Sequence, residues 1–401
     1  MHHGTIVPPR RNLHYLESLR GLAALVIVLI HLSSAFFPAC LALVHPLGTL
    51  PVRTFFLLSG FVLSISYFRR RDRSVLASAA LKRYLRLMLP VCASILAAWT
   101  LMEFGAFHNF EAASAMGQPA DAWLNTQLTN KLTFGQALLQ GTFGTFFQFD
   151  MGTTLNLNLW TMSIELAGSV FVFAFLALHS VTSKRWLIYT IIALVLLAIP
   201  RRMGLYGLDF FAGVALCDFF ILREHDRRTM RLPGWAAFSL AGLGLAISYN
   251  TVRWTFDNSV PHALQLGESS TLGGILLVGA ASFCSPLRGF LEHSVMAFLG
   301  RISFPLYLFH DAVICSLGCG SYLELKELHL PHLAAGLLAA GISLGVSILV
   351  AWLAYYLVER PAIQVSAQFA KLCLGLLSPQ PKMPVQDPIA MVPSVLEKLD
   401  R

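Results

Sequence analysis

Charged residues are scarce in this chain. Only 12% of its 401 residues are Asp, Glu, Lys or Arg, whereas 56% are hydrophobic and the mean hydropathy is +0.65. Soluble domains carry charge on about a quarter of their residues. The composition therefore excludes an ordinary soluble protein. It predicts an integral, multi-pass protein of a lipid bilayer, which in a bacterium would be the cytoplasmic membrane.

Several other features are missing from the sequence. It has no glycine-rich phosphate loop, no internal repeat and no soluble catalytic domain, so any chemistry is expected inside the membrane bundle. The net charge of +8 comes from basic residues between apolar runs, and we expect no nucleic-acid partner. The seven cysteines lie mostly within apolar runs and complete no metal-ligand pattern, so we expect buried thiols and no metal site.

Long apolar runs recur along nearly the whole chain. They are long enough for membrane-spanning helices and do not alternate as the strands of a β-barrel would. The first run has no small-residue cleavage site after it, so it is predicted to be a retained span. We predict an all-α, polytopic bundle of about ten transmembrane helices with approximate bounds 20–40, 48–68, 86–103, 157–178, 186–200, 204–221, 235–250, 271–287, 296–316 and 334–357.

Basic residues set the predicted orientation. They cluster before the first span, at Arg10 and Arg11, and after even-numbered spans, above all in 69–83 and 223–231. Cytoplasmic loops carry such an excess, so both termini are predicted to be cytoplasmic and the loop of about 104–156 external.

The predicted domain organisation follows from the spans. We expect a cytoplasmic N-terminal tail (1–13), a membrane domain (14–362) and a cytoplasmic C-terminal tail (363–401). The tail is expected to be partly disordered, because prolines recur closely from Ser378 onward.

An arginine and a histidine share one face of the first predicted span. Eleven residues separate Arg20 from His31, so on a helix they lie within about 20° of each other and roughly 16 Å apart along the axis. This spacing places His31 near the membrane midplane, where an ionisable group is costly and is by default a functional candidate. Glu165, eight residues into the fourth span, is predicted at a comparable depth. We expect the two to be partners, with Glu165 raising the basicity of a general base; a purely structural pair is the alternative.

Further polar groups lie within or beside the predicted spans. Arg83 and Arg86 stand at the predicted cytoplasmic mouth of the third span, where guanidinium groups either hold a polyphosphate ligand or only fix the topology. Ser59, beside Gly60, offers a small surface that favours close helix packing. His310, in the ninth span with Tyr307, is predicted near the outer face, where it contacts either substrate or water.

Together these residues form short motifs that resemble those of the membrane-bound acyltransferase 3 family. The first span carries the arginine, ten residues and histidine of that family, from Arg20 to His31. Each motif is weak alone, but six of them in the family's order over about residues 14–362 are specific. The other five are Phe55-Phe56-x-x-Ser59-Gly60-Phe61, Arg83-x-x-Arg86 with Pro90, Trp160-x-x-x-x-Glu165, Leu306-Tyr307-x-x-His310 and Glu359-x-Pro361.

The resemblance implies a membrane O-acyltransferase. It implies an acyl-CoA donor, usually acetyl-CoA, bound from the cytoplasm, and an acceptor hydroxyl on a sugar, glycan or small hydrophobic molecule. His31 would either deprotonate that hydroxyl or carry the acyl group itself, and the sequence leaves both routes open. Carried over motif by motif, the resemblance implies catalytic roles for His31 and Glu165, donor binding by Arg20, Arg83 and Arg86, and substrate contacts for Ser59, Trp160, Tyr307 and His310.

The sequence departs from the family pattern at two points. The residues after Glu165 are Leu-Ala-Gly-Ser, where many members have a polar, aromatic-rich run, and this bears on the substrate class. No esterase-like domain is appended, so a stand-alone transferase module is expected. The alternative function is a proton-coupled transporter or exporter of an acylated or glycan species, because many spans with ionisable residues at the midplane also describe that class.

Overall fold

The computed structural model describes residues 13–40, 47–179, 185–198, 202–225, 233–257 and 268–377. Within these ranges the regular secondary structure is entirely helical, which confirms the predicted all-α class. The helices are α1 (His14–Phe36), α2 (Thr49–Arg70), α3 (Ser74–Glu103), α4 (Asn109–Ala115), α5 (Trp123–Thr126), α6 (Phe134–Leu139), α7 (Trp160–His179), α8 (Arg185–Ala198), α9 (Arg202–His225), α10 (Gly234–Asp257), α11 (Glu268–Phe283), α12 (Ser285–Leu291), α13 (Ser294–Val313), α14 (Cys319–Glu327), α15 (His332–Ala354) and α16 (Arg360–Leu377).

Each of the ten predicted spans overlaps a helix, and the eighth, 271–287, overlaps two, α11 and α12. Among the described residues, six helical segments are long and apolar enough to cross a membrane, and a seventh is formed if α11 and α12, bent by 96°, make one broken span. The count of ten spans and the cytoplasmic placement of both termini stay predictions. The six segments are His14–Phe36, Thr49–Arg70, Ser74–Glu103, Leu157–Leu178, Ser294–Glu327 and His332–Leu376.

Two π-helical turns lengthen the last two of these segments. Ile314–Gly318 joins α13 to α14, and Tyr355–Glu359 joins α15 to α16. The first part of the predicted C-terminal tail is therefore helical as far as Leu377. The proline-rich stretch from Ser378 and most of the N-terminal tail lie outside the described residues.

The helix ends place His31 and Arg83 at other positions along their helices than the predicted spans implied. His31 lies seventeen residues, about 26 Å, from the start of α1 and only five residues, about 8 Å, from its end, so it is not at the middle of its helix as predicted. α3 begins at Ser74, twelve residues before the predicted span, because no proline or glycine precedes Pro90 in this stretch. Arg83 and Arg86 thus lie well inside α3 and not at its mouth.

Glycine contacts bring α1 and α13 together side by side. A Cβ added to Gly21 would lie 2.4 Å from the backbone of Leu299, and one added to Gly300 would lie 2.6 Å from the backbone of Glu17. Ten residues beyond these glycines, on parallel helices, stand His31 and His310. The close backbone approach therefore sets the distance between the two histidines.

A second glycine contact joins α2 to α9. A Cβ added to Gly60 would lie 2.0 Å from the carbonyl oxygen of Phe210, and one added to Gly213 would lie 2.0 Å from that of Leu57. The predicted packing role of the Ser59-Gly60 surface is confirmed for Gly60.

The loop between α3 and α7 contains a helix that packs along α3, and its external placement stays a prediction. Phe134–Leu139, the π-helical turn Gln140–Gly144 and Thr145–Phe147 form one continuous helix, here called the loop helix. It runs antiparallel to α3, with contacts between Trp99 and Phe134, Cys92 and Gly141, and Tyr84 and Phe147. This stretch of α3 covers about 22 Å of a candidate span, so the loop helix lies along a helix that is long and apolar enough to cross a membrane. Its outward face is apolar and exposed at Phe134, Leu139, Phe143 and Phe147.

Candidate active site

Two histidines and a carboxylate meet between α1 and α13. Nδ1 of His31 lies 2.9 Å from Nε2 of His310 and 3.0 Å from Oδ1 of Asp311. Nε2 of His310 lies 3.2 Å from the same carboxylate oxygen. The His310 side chain is fully buried, so it does not contact water, which its predicted position near the outer face had left open. The His31 side chain is 16% exposed. We call these three residues the His–His–Asp cluster.

Hydrogen-bond partners assign the ring protons of the cluster. Nδ1 of His310 lies 2.9 Å from the carbonyl oxygen of Leu306, which can only accept, so this nitrogen carries the proton and Nε2 has a lone pair. The Asp311 carboxylate also only accepts. Nδ1 of His31 must then donate to both, and in the neutral ring this tautomer leaves the lone pair on Nε2. No described residue hydrogen-bonds to this Nε2, so it is the atom available to react.

The chain just before α7 holds the carboxylate in place. Nδ2 of Asn158 donates to Oδ2 of Asp311 at 2.6 Å, on the side away from His31. Asn156, two residues earlier, donates to the carbonyl oxygen of Leu308 at 2.8 Å and ties the same segment to α13. Both oxygens of Asp311 are therefore occupied, and its orientation toward His31 is fixed.

A cavity lies beside the cluster, toward the N-terminal end of α1. It contains about 690 Å³ of space, its open mouth included. Three arginines and two glutamates line it, which is a dense set of charges for the interior of a helix bundle. These residues are Arg20, Arg83, Arg86, Glu165 and Glu359, with Ser59, Thr161, Ser303 and Tyr307 as further polar groups.

The predicted contact between His31 and Glu165 does not form. Oε1 of Glu165 instead accepts a hydrogen bond of 2.5 Å from Oγ of Ser59 and forms an ion pair with Arg83. Nε of Arg83 also donates to Oγ of Ser169 at 2.7 Å. The reason is the register of α7: Asn158 already stands beside the cluster, and Glu165 follows seven residues, about 10 Å, further along.

Arg20 and Arg86 are the arginines of the cavity without a direct partner. Neither makes a hydrogen bond or an ion pair with any residue in the described ranges, although both lie near enough to the Glu359 carboxylate to interact with it electrostatically. Arg86 is exposed and Arg20 is half-buried. Their guanidinium donors are therefore available to a ligand.

Tyr307 separates the cavity from the His–His–Asp cluster. Its ring lines the cavity and packs edge-on against Phe55, with ring centroids 5.8 Å apart. Its hydroxyl donates to the backbone carbonyl of Asn158 at 2.8 Å and lies 3.0 Å from Oγ1 of Thr161. One layer of side chains thus connects the charged cavity to the residue that holds Asp311.

Two polar residues of the site, Asn158 and Asp311, were not predicted from the sequence. Asn158 follows Leu157 and precedes Leu159, with no signal of its own, whereas Asp311 is the only acidic residue in 302–319 and could have been noticed. Trp160, a predicted substrate residue, does not line the cavity. It packs on Tyr206 with ring centroids 5.6 Å apart.

A buried ion pair lies behind Tyr206. Arg53 donates to Oδ2 of Asp209 at 2.8 Å, Thr271 donates to Oδ1 at 2.6 Å, and the Arg53 guanidinium lies 4.6 Å from the centre of the Tyr206 ring. Such a pair inside a helix bundle is tolerated only when its hydrogen-bonding groups are satisfied. It joins α2, α9 and α11 behind the wall of the cavity.

Among the described residues, the side chains of the His–His–Asp cluster are close enough together to hold a metal ion. One ligand atom from each of its three residues lies within 4.8 Å of the others. The same atoms satisfy one another as hydrogen-bond donors and acceptors, so the arrangement needs no ion. The absence of a metal stays a prediction.

The fold is that of a multi-pass helical membrane protein, and its site is a buried His–His–Asp cluster beside a charged cavity. A family model described as an acyltransferase domain matches residues 13–356, most of the chain. This chain therefore belongs to the acyltransferase 3 family, and the predicted resemblance is confirmed. Comparisons with curated proteins and with solved structures gave no match.

Proposed function

We propose that this protein transfers an acyl group, most simply acetyl, from cytoplasmic acyl-CoA to a hydroxyl of a sugar, glycan or small hydrophobic acceptor. Family membership supports acyl transfer in general. The single observation that carries the proposal for this chain is that His31 uses Nδ1 for its contacts with His310 and Asp311, which leaves Nε2 without a partner among the described residues and places the lone pair there in the neutral ring. A neutral imidazole with an oriented proton is the form that a base or nucleophile requires.

The charged cavity is the proposed donor site. Arg20 and Arg86 offer guanidinium groups that are free to pair with the phosphates of CoA, and Arg83 keeps its orientation through Glu165 and Ser169. His31 lies roughly 16 Å along α1 from Arg20. The narrow pantetheine arm would bridge this distance past Tyr307 and bring the thioester to the cluster.

Two routes of transfer fit the cluster. In the direct route, Nε2 of His31 takes the proton of the acceptor hydroxyl, whose oxygen attacks the thioester carbonyl; the C–S bond breaks and CoA leaves as a thiolate that later takes a proton. In the relay route, Nε2 itself attacks the carbonyl and the C–S bond breaks, so that CoA leaves as a thiolate. The acceptor hydroxyl then attacks the acyl-imidazole, the C–N bond breaks, Nε2 recovers its lone pair, and the hydroxyl proton passes to the thiolate. In both routes Asp311 stabilises the positive charge that develops on the ring.

In this proposal Glu165 has a different role from the predicted one, which was to raise the basicity of His31. Its contacts favour a role in holding Arg83 and Ser59 within the donor site and not in activating His31. Trp123 lies over the other side of the His31 ring, with ring centroids 5.1 Å apart, and we assign it to the acceptor side.

Release of free CoA tests the proposal. Purified protein in lipid nanodiscs is given acetyl-CoA and a panel of sugar and small-molecule alcohols, and free thiol and acylated products are measured together. Thiol release in step with ester formation is expected. Binding or movement of a substrate with no loss of thioester would instead identify a transporter.

A further inference from the structure

Glu359 is a buried carboxylate with an unsatisfied oxygen. Only 8% of the residue is exposed, and its Oε2 has no hydrogen-bond partner. Leaving a buried acceptor unpaired costs about 1–3 kcal/mol, and more for a charged group, so such an atom needs an explanation.

The local helix geometry brings the Glu359 side chain to the wall of the cavity. Glu359 ends the π-helical turn Tyr355–Glu359, two residues before Pro361, whose backbone has no N–H to donate to the preceding turn. Single π-helical turns occur frequently at functional sites, because they displace side chains from the ordinary helical positions. Here the displaced side chain lines the charged cavity.

Among the residues that line the cavity, the charges around Glu359 are not balanced, although the exposed Glu17 outside the lining also interacts with Glu359 and Arg86. Arg83 and Glu165 neutralise each other as an ion pair, which leaves Arg20 and Arg86 facing Glu359. Two guanidinium groups and one carboxylate carry a formal charge of +1, and none of the three hydrogen-bonds to another. A bare phosphate would use the arginines but be repelled by Glu359, and a bare amine would use Glu359 but be repelled by the arginines.

We propose that Glu359 accepts an amide N–H of the donor while Arg20 and Arg86 bind the adjacent phosphates. The inference rests on the proposed acyl-CoA donor, since its pantetheine arm carries an amide close to the diphosphate. A zwitterionic phospholipid headgroup, with an ammonium next to a phosphate, has related chemistry and is the competing occupant. Glu359 is thereby a specificity residue that distinguishes a phosphopantetheine arm from a simple polyphosphate.

The first test uses three variants and CoA itself, whose binding needs no turnover. Glu359→Leu removes the acceptor, Glu359→Gln keeps a carbonyl acceptor but removes the charge, and Glu17→Gln is the matched control because Glu17 is an exposed carboxylate that interacts with the same arginine, Arg86. We expect Glu359→Leu to weaken CoA binding about 10- to 100-fold. Glu359→Gln should lose much less, and Glu17→Gln should bind like the wild type. Melting temperatures verify folding.

The second test changes the ligand instead of the protein. A CoA analogue in which the amide nearest the diphosphate is replaced by an ester lacks the N–H but keeps the shape. The analogue should bind the wild type more weakly than CoA does, by a similar factor. Glu359→Leu should not weaken the binding of the analogue any further. If Glu359→Leu does not fold, the comparison is made between the wild type and Glu359→Gln.

Three results would overturn the inference. The first is unchanged CoA affinity in folded Glu359→Leu, with thioester consumption intact, which leaves the proposed function standing. The second is equal binding of CoA and its ester analogue to the wild type. The third is a melting temperature that depends on phosphatidylethanolamine in the wild type but not in Glu359→Leu, without any effect on CoA binding, which would assign the site to a lipid headgroup. A wild type that neither binds CoA nor consumes thioester overturns the proposed function as well.

Discussion

Replacing Asp311 by asparagine should disable acyl transfer while leaving donor binding intact. Oδ1 of Asp311 accepts the Nδ1 proton of His31 at 3.0 Å, and Oδ2 is held by Asn158 at 2.6 Å. Asparagine keeps the size of the side chain and a partner for Asn158. What it removes is the negative charge beside the imidazole.

The magnitude follows from two contributions. Losing a charge-assisted hydrogen bond costs about 1.5–3 kcal/mol, which is roughly a 10- to 150-fold loss in rate if it acts in the transition state. An asparagine amide can also turn its N–H toward Nδ1 of His31, which moves the ring proton to Nε2 and removes the base; such a loss is typically worth about 10²- to 10⁴-fold. We expect kcat to fall by roughly 10²- to 10⁴-fold.

The assay is the initial rate of CoA release at saturating donor, with CoA affinity and melting temperature measured on the same preparation. Asp311→Asn introduced into His31→Ala should cause no further loss, because the two residues act as one unit. A folded Asp311→Asn that keeps more than about half of the wild-type kcat, or losses that add in the double variant, would refute the role of Asp311.

Two further predictions concern the donor site and the loop helix. Arg86→Ala should raise the KM for acyl-CoA with little change in kcat, and Arg86→Lys should recover affinity only in part, because lysine lacks the planar fork that pairs with phosphate; an unchanged KM in both variants returns Arg86 to a topology role. Phe143→Arg should destabilise the protein in nanodiscs by about 2.5–3.5 kcal/mol, because it places a charge on the lipid-facing side of the loop helix, whereas Phe104→Arg at the outer end of α3 should have little effect. Equal effects of the two substitutions would contradict the prediction that the exposed face of the loop helix contacts lipid.

The sequence predicted where helices form better than where they end. Apolar runs locate each of the ten segments, because burial in lipid demands them. α1 begins six residues and α3 twelve residues before the predicted spans, because polar residues such as Glu17 and Arg83 continue the two helices beyond the apolar runs. His31 and Arg83 therefore lie at other positions along their helices than the predicted spans implied, and their depths in the membrane stay predictions.

The partner of His31 could not be found by comparing depths. Glu165 was chosen because it is an ionisable residue on a span at a similar predicted level, but the pairing is decided by the parallel packing of α1 and α13 at Gly21 and Gly300. That packing brings residue 310 and its neighbour to residue 31. The pairing of His31 with Asp311 depends on a contact between two helices that are distant in sequence. The spacing of residues within one span does not predict such a pair.

The loop helix was missed although its sequence carries a signal. Residues 132–149 contain no charge and five phenylalanines, which is unusual for an external loop. At fourteen residues, the helix is too short to be recognised as a span by length. Its contacts with α3 supply the missing information.

The central claim is that Nε2 of His31 is the atom that moves the proton or the acyl group, and His31→Ala in nanodiscs tests it most directly. The measurement is CoA release per folded molecule, with CoA binding and the melting temperature determined in parallel. We expect a loss of roughly 10²- to 10⁴-fold in transfer with CoA affinity near that of the wild type. A folded variant that keeps more than about a tenth of the wild-type turnover would contradict the claim, because removing an essential base or relay cannot leave so much activity.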